Sequence, residues 1–538
     1  MSRGLGGWLV VVPVVCAAVV YARFFGGYWL GDDFGNLQTS WLALQRGETL
    51  TRAWQQIFEP VASEGAFYRP AMIASLLFNV AFAGTRVAGW FAVNWAVHLT
   101  NMILVAHIVR TLGRITGRDG RTAGIVAAGV FGLCPLLAEG VFWVSARADA
   151  CVTLLTFVAL LAWTRAPAAR ATAFAVPSCV LIALGFKESA AVFPLQLALV
   201  AFAWPSRLTR TQAATLLLSF VLAGLFFAIR AQLFGDVWNV YRSASTGSPG
   251  ERVRHAVATL WPWWRGLSQP AANAGTLYIL MLGVATTALL LATRGSQRML
   301  AAALFIASAG LCAATLLNLG GMNPSGEGGR LAYSPFAWLC LAVGVASAAP
   351  LAAADRLATG LARRAGIAGL LIATIAGTFV LDRELRVARA AADDLHALAN
   401  ALRDWTDRHP GLTLLIIDGE RGPVATGRNA QGGIVLPPIQ AQPLLHRILP
   451  TLPAEIELRY DQLRAGLATR LDALRPSFVD AAMLQQLTAP DAARWPDFYA
   501  CWSAREHRIV ELPAPDVAQR DAWAKNVRQS ALRCTGPG

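Results

Sequence analysis

Several residues able to do acid–base and phosphate-binding chemistry stand beside the apolar stretches of this 538-residue chain. Asp32 and Asp33 follow the first apolar stretch in GYWLGDDFGN, and a carboxylate so placed is able to take a proton from a hydroxyl group. Four cations in comparable positions are candidates for binding a phosphate group, and they are Arg69, Arg147, Lys187 and Arg330. Charges close to the hydrocarbon of a bilayer are costly, so they usually mark a functional site or pair with one another.

The stretches that carry these cations also carry acidic residues. These are Glu139, Asp149, Glu188 and Glu327. Asp149 and Glu139 are suited to orienting the cations or to holding a divalent metal ion, and the sequence leaves metal use open. Each charge also has a plain structural interpretation. Arg147 and Asp149 are alternatively a structural ion pair, and so are the neighbours Lys187 and Glu188.

A polar stripe lies on one face of a predicted helix. Asn94, His98 and Asn101 have the i, i+4, i+7 spacing that places side chains on a common face. We expect this stripe to form hydrogen bonds between helices rather than to catalyse a reaction. His98 stays a candidate supporting residue of the site.

The composition predicts that these residues belong to a polytopic membrane protein. Charged residues make up 14% of the chain, against about 25% in soluble proteins, which excludes an ordinary cytosolic enzyme and a disordered chain. Nearly uncharged runs long enough to cross a bilayer recur to about residue 381. We predict about eleven transmembrane helices, at 8–25, 88–109, 123–138, 150–163, 171–186, 189–204, 212–229, 272–292, 299–318, 333–350 and 366–381.

The net charge of +14 is a signal of topology and does not indicate a nucleic-acid partner. When the N-terminus is placed inside, the inside segments contain fourteen arginines and two acidic residues, as the positive-inside rule requires. We therefore predict a multi-pass protein of a bacterial-type inner (cytoplasmic) membrane with a cytoplasmic N-terminus. A large first loop at 26–87 and the C-terminal tail then lie outside.

The chain divides into two predicted domains, a transmembrane domain at 1–381 and a periplasmic domain at 382–538. In the tail, 412–418 has the pattern of a buried strand and 383–408 has helical periodicity, so we expect a small α/β domain without a catalytic motif. Cys501 and Cys534 lie in this tail, where an oxidising compartment favours a disulfide between them. In the first loop, the apolar stretch 70–82 is short for a span and predicts a re-entrant or interfacial helix.

Several short motifs follow the acidic pair in the order found in a known family. They are FYRP at 67–70, HLTN at 98–101, CPLLAEGVFWVSARAD at 134–149, LGFKES at 184–189 and GRLAYSP at 329–335. With the acidic pair in a large first external loop, they resemble the GT-C superfamily of integral membrane glycosyltransferases. The similar branch contains the protein O-mannosyltransferases and their tetratricopeptide-bearing relatives. The chain differs from that branch in having no tetratricopeptide repeats and in having Cys134 before Pro135, where a histidine is common.

The resemblance implies a GT-C-like fold and an inverting transfer of a sugar from a polyprenyl-phosphate-linked donor to an acceptor hydroxyl on the external face. It implies an acidic general base, for which Asp32 is the first choice and Asp33 the competing one. Arg330, Lys187, Arg147 and Arg69 would then bind the donor phosphate, and Tyr333 would support the site. The acceptor, a glycan, a lipid or a protein, stays open. The alternatives are a ligase or polymerase of lipid-linked glycans, a transporter and a non-catalytic membrane scaffold.

Overall fold

The protein is predominantly helical in the computed structural model. The structure describes residues 10–29, 33–58, 68–84, 86–204, 206–234, 269–318, 329–350, 357–408, 414–417, 498–503 and 508–512. Asp32 and Glu327 lie outside these ranges, as does Cys534, so the predicted disulfide with Cys501 also lies outside the described residues.

Eight α-helices lie in the described residues up to position 165. They are α1 (Val11–Ala22), α2 (Asp33–Gln45), α3 (Thr49–Phe58), α4 (Pro70–Ala83), α5 (Val87–Ile115), α6 (Arg121–Gly132), α7 (Ala138–Phe142) and α8 (Arg147–Arg165). Two 3-10 helices, Pro135–Leu137 and Val144–Ala146, flank α7. Helix α4 corresponds to the short apolar helix expected at 70–82, and it begins with a proline, whose missing N–H costs nothing at a first helical position.

The second half is also mainly helical among the described residues. Its α-helices are α9 (Arg170–Phe186), α10 (Phe193–Phe202), α11 (Arg210–Phe234), α12 (Gln269–Ala292), α13 (Gly295–Asn318), α14 (Tyr333–Ser347) and α15 (Leu357–Arg408). The 3-10 helix Glu188–Val192 precedes α10, and the 3-10 helix Gly329–Ala332 precedes α14.

Five short strands form two sheets within the ranges that the structure describes. Strands β1 (Arg118–Asp119) and β2 (Ala349–Pro350) pair in an antiparallel manner and join the loop after α5 to the end of α14. Strand β3 (Leu414–Ile417) pairs in parallel with β4 (Phe498–Ser503), which pairs antiparallel with β5 (Arg508–Leu512). The strand expected at 412–418 is thus present, while the α/β character of the whole tail stays a prediction.

A helix lies at each of the eleven stretches that the sequence predicts to cross a membrane. Five of the described helical segments are by themselves long and apolar enough to do so: Val87–Ile115, Val144–Arg165, Arg210–Phe234, Arg330–Ser347 and Gly360–Arg383. The bent pair Arg121–Gly132 and Pro135–Phe142, with an angle of 53°, would make a sixth. The bend interrupts the span predicted at 123–138, because Pro135 lacks an N–H and disfavours the helical conformation of the residue before it. The number eleven stays a prediction.

Apolar side chains cover the outer surface of the helix bundle as well as its core. Trp90, Trp163 and Trp338 are completely enclosed. Large apolar side chains are exposed on the outer helices, among them Phe174, Leu181, Phe202, Leu225, Ile375 and Phe379. Apolar surface of this extent is unfavourable in water, so a lipid environment suits these helices.

Helix α15 is 52 residues long and crosses position 381, where the sequence predicts that the transmembrane domain ends. The helical periodicity expected at 383–408 is confirmed, and no proline or glycine in that stretch interrupts the helix. Beyond the apolar part, Asp382 forms an ion pair with Arg23 (2.6 Å), and the His396 ring stacks on Tyr28. These contacts hold the extended helix against the segment that follows α1.

Candidate functional site

A short irregular segment at 139–149 connects most of the candidate residues. It contains the end of α7, the extended residue Trp143, the 3-10 helix Val144–Ala146 and the first turn of α8. Because the helix is interrupted here, backbone N–H and C=O groups are available for contacts with other stretches. The segment contacts five of them, as the following contacts show. We call the end of the bundle that contains this segment the site end.

Asp33 joins the first loop to this segment. Its carboxylate is buried and accepts hydrogen bonds from the Ser145 N–H (2.8 Å), the Ser145 hydroxyl (2.7 Å) and the Val144 N–H (3.4 Å). Asn36, one turn later in α2, donates to the same Ser145 hydroxyl oxygen (2.8 Å). These three hydrogen bonds fix the start of α2 against residues 144 and 145.

Arg147 is enclosed within the bundle and has an exposed fraction of 0%. Its Nε donates to Asn94 Oδ1 (2.6 Å), and its two Nη atoms donate to the backbone oxygens of Trp90 (3.2 Å) and Ser75 (3.5 Å). Asn94 in turn donates to the Trp143 oxygen (3.1 Å), which links α5 to the 139–149 segment. The hydrogen-bond partners of Arg147 are all neutral groups. Its positive charge also interacts with the nearby Asp33 carboxylate.

Two adjacent residues after α9 form ion pairs with two different stretches. Lys187 Nζ donates to both carboxylate oxygens of Asp149 (2.6 and 2.8 Å), and Arg69 contacts Glu188 through two hydrogen bonds (2.8 and 3.2 Å). Burial alone would raise the pKa of the Glu188 carboxyl. The Arg69 guanidinium, its hydrogen bonds and the nearby Lys187 ammonium outweigh burial and lower that pKa to about 2. These partners differ from the pairings Arg147–Asp149 and Lys187–Glu188 that the sequence suggests.

Arg330 brings the stretch before α14 to the same segment. Its Nη1 donates to Glu139 Oε1 (2.7 Å), and its backbone N–H donates to Glu139 Oε2 (2.9 Å). The guanidinium carbon lies 4.5 Å from the centre of the Trp143 ring, a cation–π geometry. Asp33 contacts residues 144 and 145, which directly follow Trp143, and Arg330 stacks on Trp143. Asp33 and Arg330 therefore contact the same part of the chain.

The polar stripe on α5 forms the hydrogen bonds between helices that its spacing predicts. His98 Nε2 lies 3.2 Å from the Gly132 oxygen, and His98 Nδ1 lies 2.8 Å from the Tyr333 hydroxyl. These partners assign the N–H to Nε2, so Nδ1 accepts from the Tyr333 hydroxyl. Asn101 donates to the Tyr333 hydroxyl oxygen (3.2 Å) and to the Ala150 oxygen (2.9 Å). The network joins α5, α6, α8 and α14 directly beneath the ion pairs.

Arg230 is a buried cation that the sequence analysis did not select. It lies near the end of α11 with an exposed fraction of 1%, and its guanidinium lies 5.9 Å from the centre of the Phe234 ring. One turn earlier, the Phe226 ring packs on Tyr68, the neighbour of Arg69 (5.9 Å between ring centres). An ionisable residue inside an apolar helix marks a functional-site candidate, and that signal was present in the sequence.

Four cations and four acids of the candidate set lie at the site end among the residues that the structure describes. The four cations are Arg69, Arg147, Lys187 and Arg330, and the four acids are Asp33, Glu139, Asp149 and Glu188. Arg230 adds one positive charge. Among the residues that the structure describes, no three His, Cys, Asp or Glu side chains are grouped so that they could hold a metal ion.

Comparisons with known proteins give one structural likeness. No protein-family model and no curated protein matches the chain. A solved structure, ArnT from Cupriavidus metallidurans bound to undecaprenyl phosphate, is 13% identical to this chain, with 92% of this chain and 93% of that chain covered and a TM-score of 0.43. The function proposed below rests on the residues of the site itself.

Proposed function

We propose that this protein is a membrane glycosyltransferase of the GT-C type that moves a sugar from a polyprenyl-phosphate-linked donor to an acceptor hydroxyl at the site end. One observation carries the proposal. Charged residues from three separate stretches, Asp33 on α2, Lys187 after α9 and Arg330 before α14, contact the 139–149 segment, and Arg69 before α4 pairs with Glu188 beside Lys187. A polyprenyl chain would stay in the lipid while its phosphate reaches these groups at the edge of the bundle.

The chemistry needs a base for the acceptor hydroxyl. In the proposed step a carboxylate takes the hydroxyl proton as the oxygen attacks the anomeric carbon, and the bond between that carbon and the phosphate oxygen breaks with the electron pair leaving on the phosphate. Attack from the opposite side inverts the anomeric centre. Because the Asp33 carboxylate already accepts three hydrogen bonds from residues 144 and 145, we assign the base to Asp32 and a positioning role to Asp33. Asp33 as the base is the competing assignment.

The leaving phosphate needs fixed cations, whose effect is large where water is excluded. Lys187, Arg330 and Arg69 are assigned to this role, because their side chains keep exposed fractions of 11%, 15% and 23%. Their acidic partners Asp149, Glu139 and Glu188 hold them in orientation. Arg147 is enclosed by Asn94 and two backbone oxygens, so it acts by positioning the 139–149 segment.

Arg230 supplies a further buried positive charge near the site end. Its helix packs beside Tyr68 and therefore beside the Arg69 stretch. We assign it to the donor phosphate as a further candidate. A divalent metal ion stays open in this proposal.

The remaining assignments follow the charge pattern. We place the site end on the periplasmic face and residues 1–381 in the transmembrane domain, and we assign residues 382–538 to a periplasmic domain that contacts the acceptor. The tail includes the part of α15 that stacks on Tyr28 in the first loop. The acceptor, a glycan, a lipid or a protein, is left open, and a ligase or polymerase of lipid-linked glycans would use the same donor chemistry.

The test is an assay of sugar transfer from polyprenyl-phosphate-linked donors by the purified full chain in a membrane mimetic. We expect D32N to lower the rate by about 10²–10⁴-fold, the usual contribution of a general base. D119N, in strand β1 beyond the opposite end of α5, is the matched control and should keep the wild-type rate. If D32N and D33N both keep the full rate, the catalytic assignment is wrong.

A further inference from the structure

A second group of charges lies at the opposite end of α5 and α8, and it consists almost entirely of arginines. Arg110 and Arg114 lie one turn apart near the end of α5, Arg121 begins α6, and Arg165 ends α8. Arg110 interacts electrostatically with the other three arginines and with Asp119. We call this the arginine end.

The backbone is shaped to bring this group together. Gly120 lies so close to α5 that an added Cβ atom would be 2.7 Å from the Val109 oxygen and 2.9 Å from the Arg110 Cα atom. Glycine at this position lets the loop lie directly on α5 and places Arg121 beside Arg110. Asp119 Oδ1 accepts the Arg121 backbone N–H (3.0 Å), which fixes the turn that leads into α6, and the Arg121 Nε lies 3.9 Å away from it.

The four arginines carry more positive charge than the neighbouring acidic residues neutralise. Asp119 is the one acidic partner of Arg110 among the described residues. The sequence assigns one other acid, Asp355, to the same side of the membrane. The four arginines still outnumber these two acids. The buried Arg110 Nε also has no hydrogen-bond partner in the part of the chain that the structure describes. Like charges gathered around an unpartnered donor favour the binding of an anion.

We propose that Arg110, Arg114, Arg121 and Arg165 form a binding site for the phosphate of an anionic phospholipid. The guanidinium fork fits phosphate oxygens, and basic pockets between helices on the cytoplasmic side bind acidic lipid headgroups. The bound lipid lies between the ends of α5 and α8, the helices whose other ends carry Asn94 and Arg147. It stabilises this pair of helices from the side opposite the site end, whatever reaction the protein performs.

The experiment measures lipid binding to the purified full chain in mild detergent by native mass spectrometry, with thermal unfolding as a second readout. The probes are phosphatidylglycerol, phosphatidylcholine with the same acyl chains, and soluble glycerol 3-phosphate. We expect phosphatidylglycerol alone to bind and to raise the unfolding temperature. The proposal fails if phosphatidylcholine acts equally, and the lipid assignment fails if glycerol 3-phosphate does so.

The variant R110Q/R114Q should bind phosphatidylglycerol at least about tenfold more weakly, since each arginine near an anionic headgroup contributes about 1 kcal/mol. R294Q/R298Q is the matched control, because Arg294 and Arg298 have the same spacing and the same charge and are both exposed. If R110Q/R114Q does not fold, R165Q replaces it and should weaken binding about fivefold. An equal loss in the control would show that the basic face attracts lipid without a site and would overturn the proposal.

Discussion

Helix α8 has an arginine at each end, and the two arginines have opposite surroundings. Arg147 begins the helix fully enclosed, with Asn94 and two backbone oxygens around its guanidinium. Arg165 ends it exposed, and its charge interacts with that of Arg110. At 1.5 Å per residue the two positions are about 27 Å apart, close to the thickness of a hydrocarbon core. The same residue type therefore marks the site end and the arginine end of one helix.

This difference shows how to distinguish charges that pair with acids of other stretches from charges that gather with charges of the same sign. At the site end, Arg69, Lys187 and Arg330 each form an ion pair with an acid from another stretch, and these pairs tie the stretches together. A buried charge needs such partners because it has lost its water. At the arginine end Arg114 and Arg165 are exposed, so the positive charges there can outnumber their acidic neighbours. The partners of a charge, more than its presence, indicate its role.

The sharpest test of the comparison replaces both arginines of α8. R147Q should lower the free energy of unfolding by about 3–5 kcal/mol, because it removes a buried charged group and leaves Asn94 and two backbone oxygens without their donors. R165Q, the matched control on the same helix, should change it by less than about 0.5 kcal/mol. Thermal or denaturant unfolding in lipid-free detergent provides the measurement. Equal effects of the two substitutions would contradict the distinction between the two ends.

The Lys187–Asp149 pair tests whether the ion pairs connect the stretches. K187M leaves the Asp149 carboxylate buried without its cation and should cost about 3 kcal/mol. The double variant K187M/D149N should lose less than the sum of the two single variants, by about 1–3 kcal/mol. Additive single effects would mean that the two side chains act independently.

The placement of the helices and the identity of the charged stretches could be predicted from the sequence, since both depend on local pattern. The pairing within the site end could not. Lys187 contacts Asp149 rather than its neighbour Glu188, because the turn after α9 directs these adjacent side chains to different stretches. The bend at Pro135 was signalled by the proline, yet the 139–149 segment that it creates depends on contacts with the rest of the bundle. Arg230 was recognisable as a lone charge in an apolar helix, but only packing places it near Tyr68.

The network beneath the ion pairs should contribute less than the pairs themselves. Y333F removes the hydroxyl that donates to His98 and accepts from Asn101, which should cost about 1–3 kcal/mol for the polar groups left buried. Unfolding measurements check this value. H98F should then lower the free energy of unfolding by less in the Y333F background than in the wild type. An equal loss in both backgrounds would show that the two side chains are not coupled.

The smallest effect concerns the Arg69–Glu188 pair and appears only in acid. The folded-state pKa of Glu188 is about 2, below its ordinary value near 4.5, so its contribution to stability is complete above about pH 4.5 and is lost as the pH falls toward 2. The stability difference between wild type and E188Q should therefore be constant above about pH 5 and should shrink below it. A difference that changes instead between pH 6 and 8 would assign the effect to another group.

The most direct test is an experimental structure of the full chain with a polyprenyl-phosphate-linked sugar, or an unreactive analogue, bound in a lipid nanodisc. The account predicts that the donor phosphate lies within hydrogen-bonding distance, about 3 Å, of Lys187 or Arg330, with the sugar facing the loop that contains Asp32 and Asp33. A donor phosphate bound at the arginine end, or away from the 139–149 segment altogether, would contradict it.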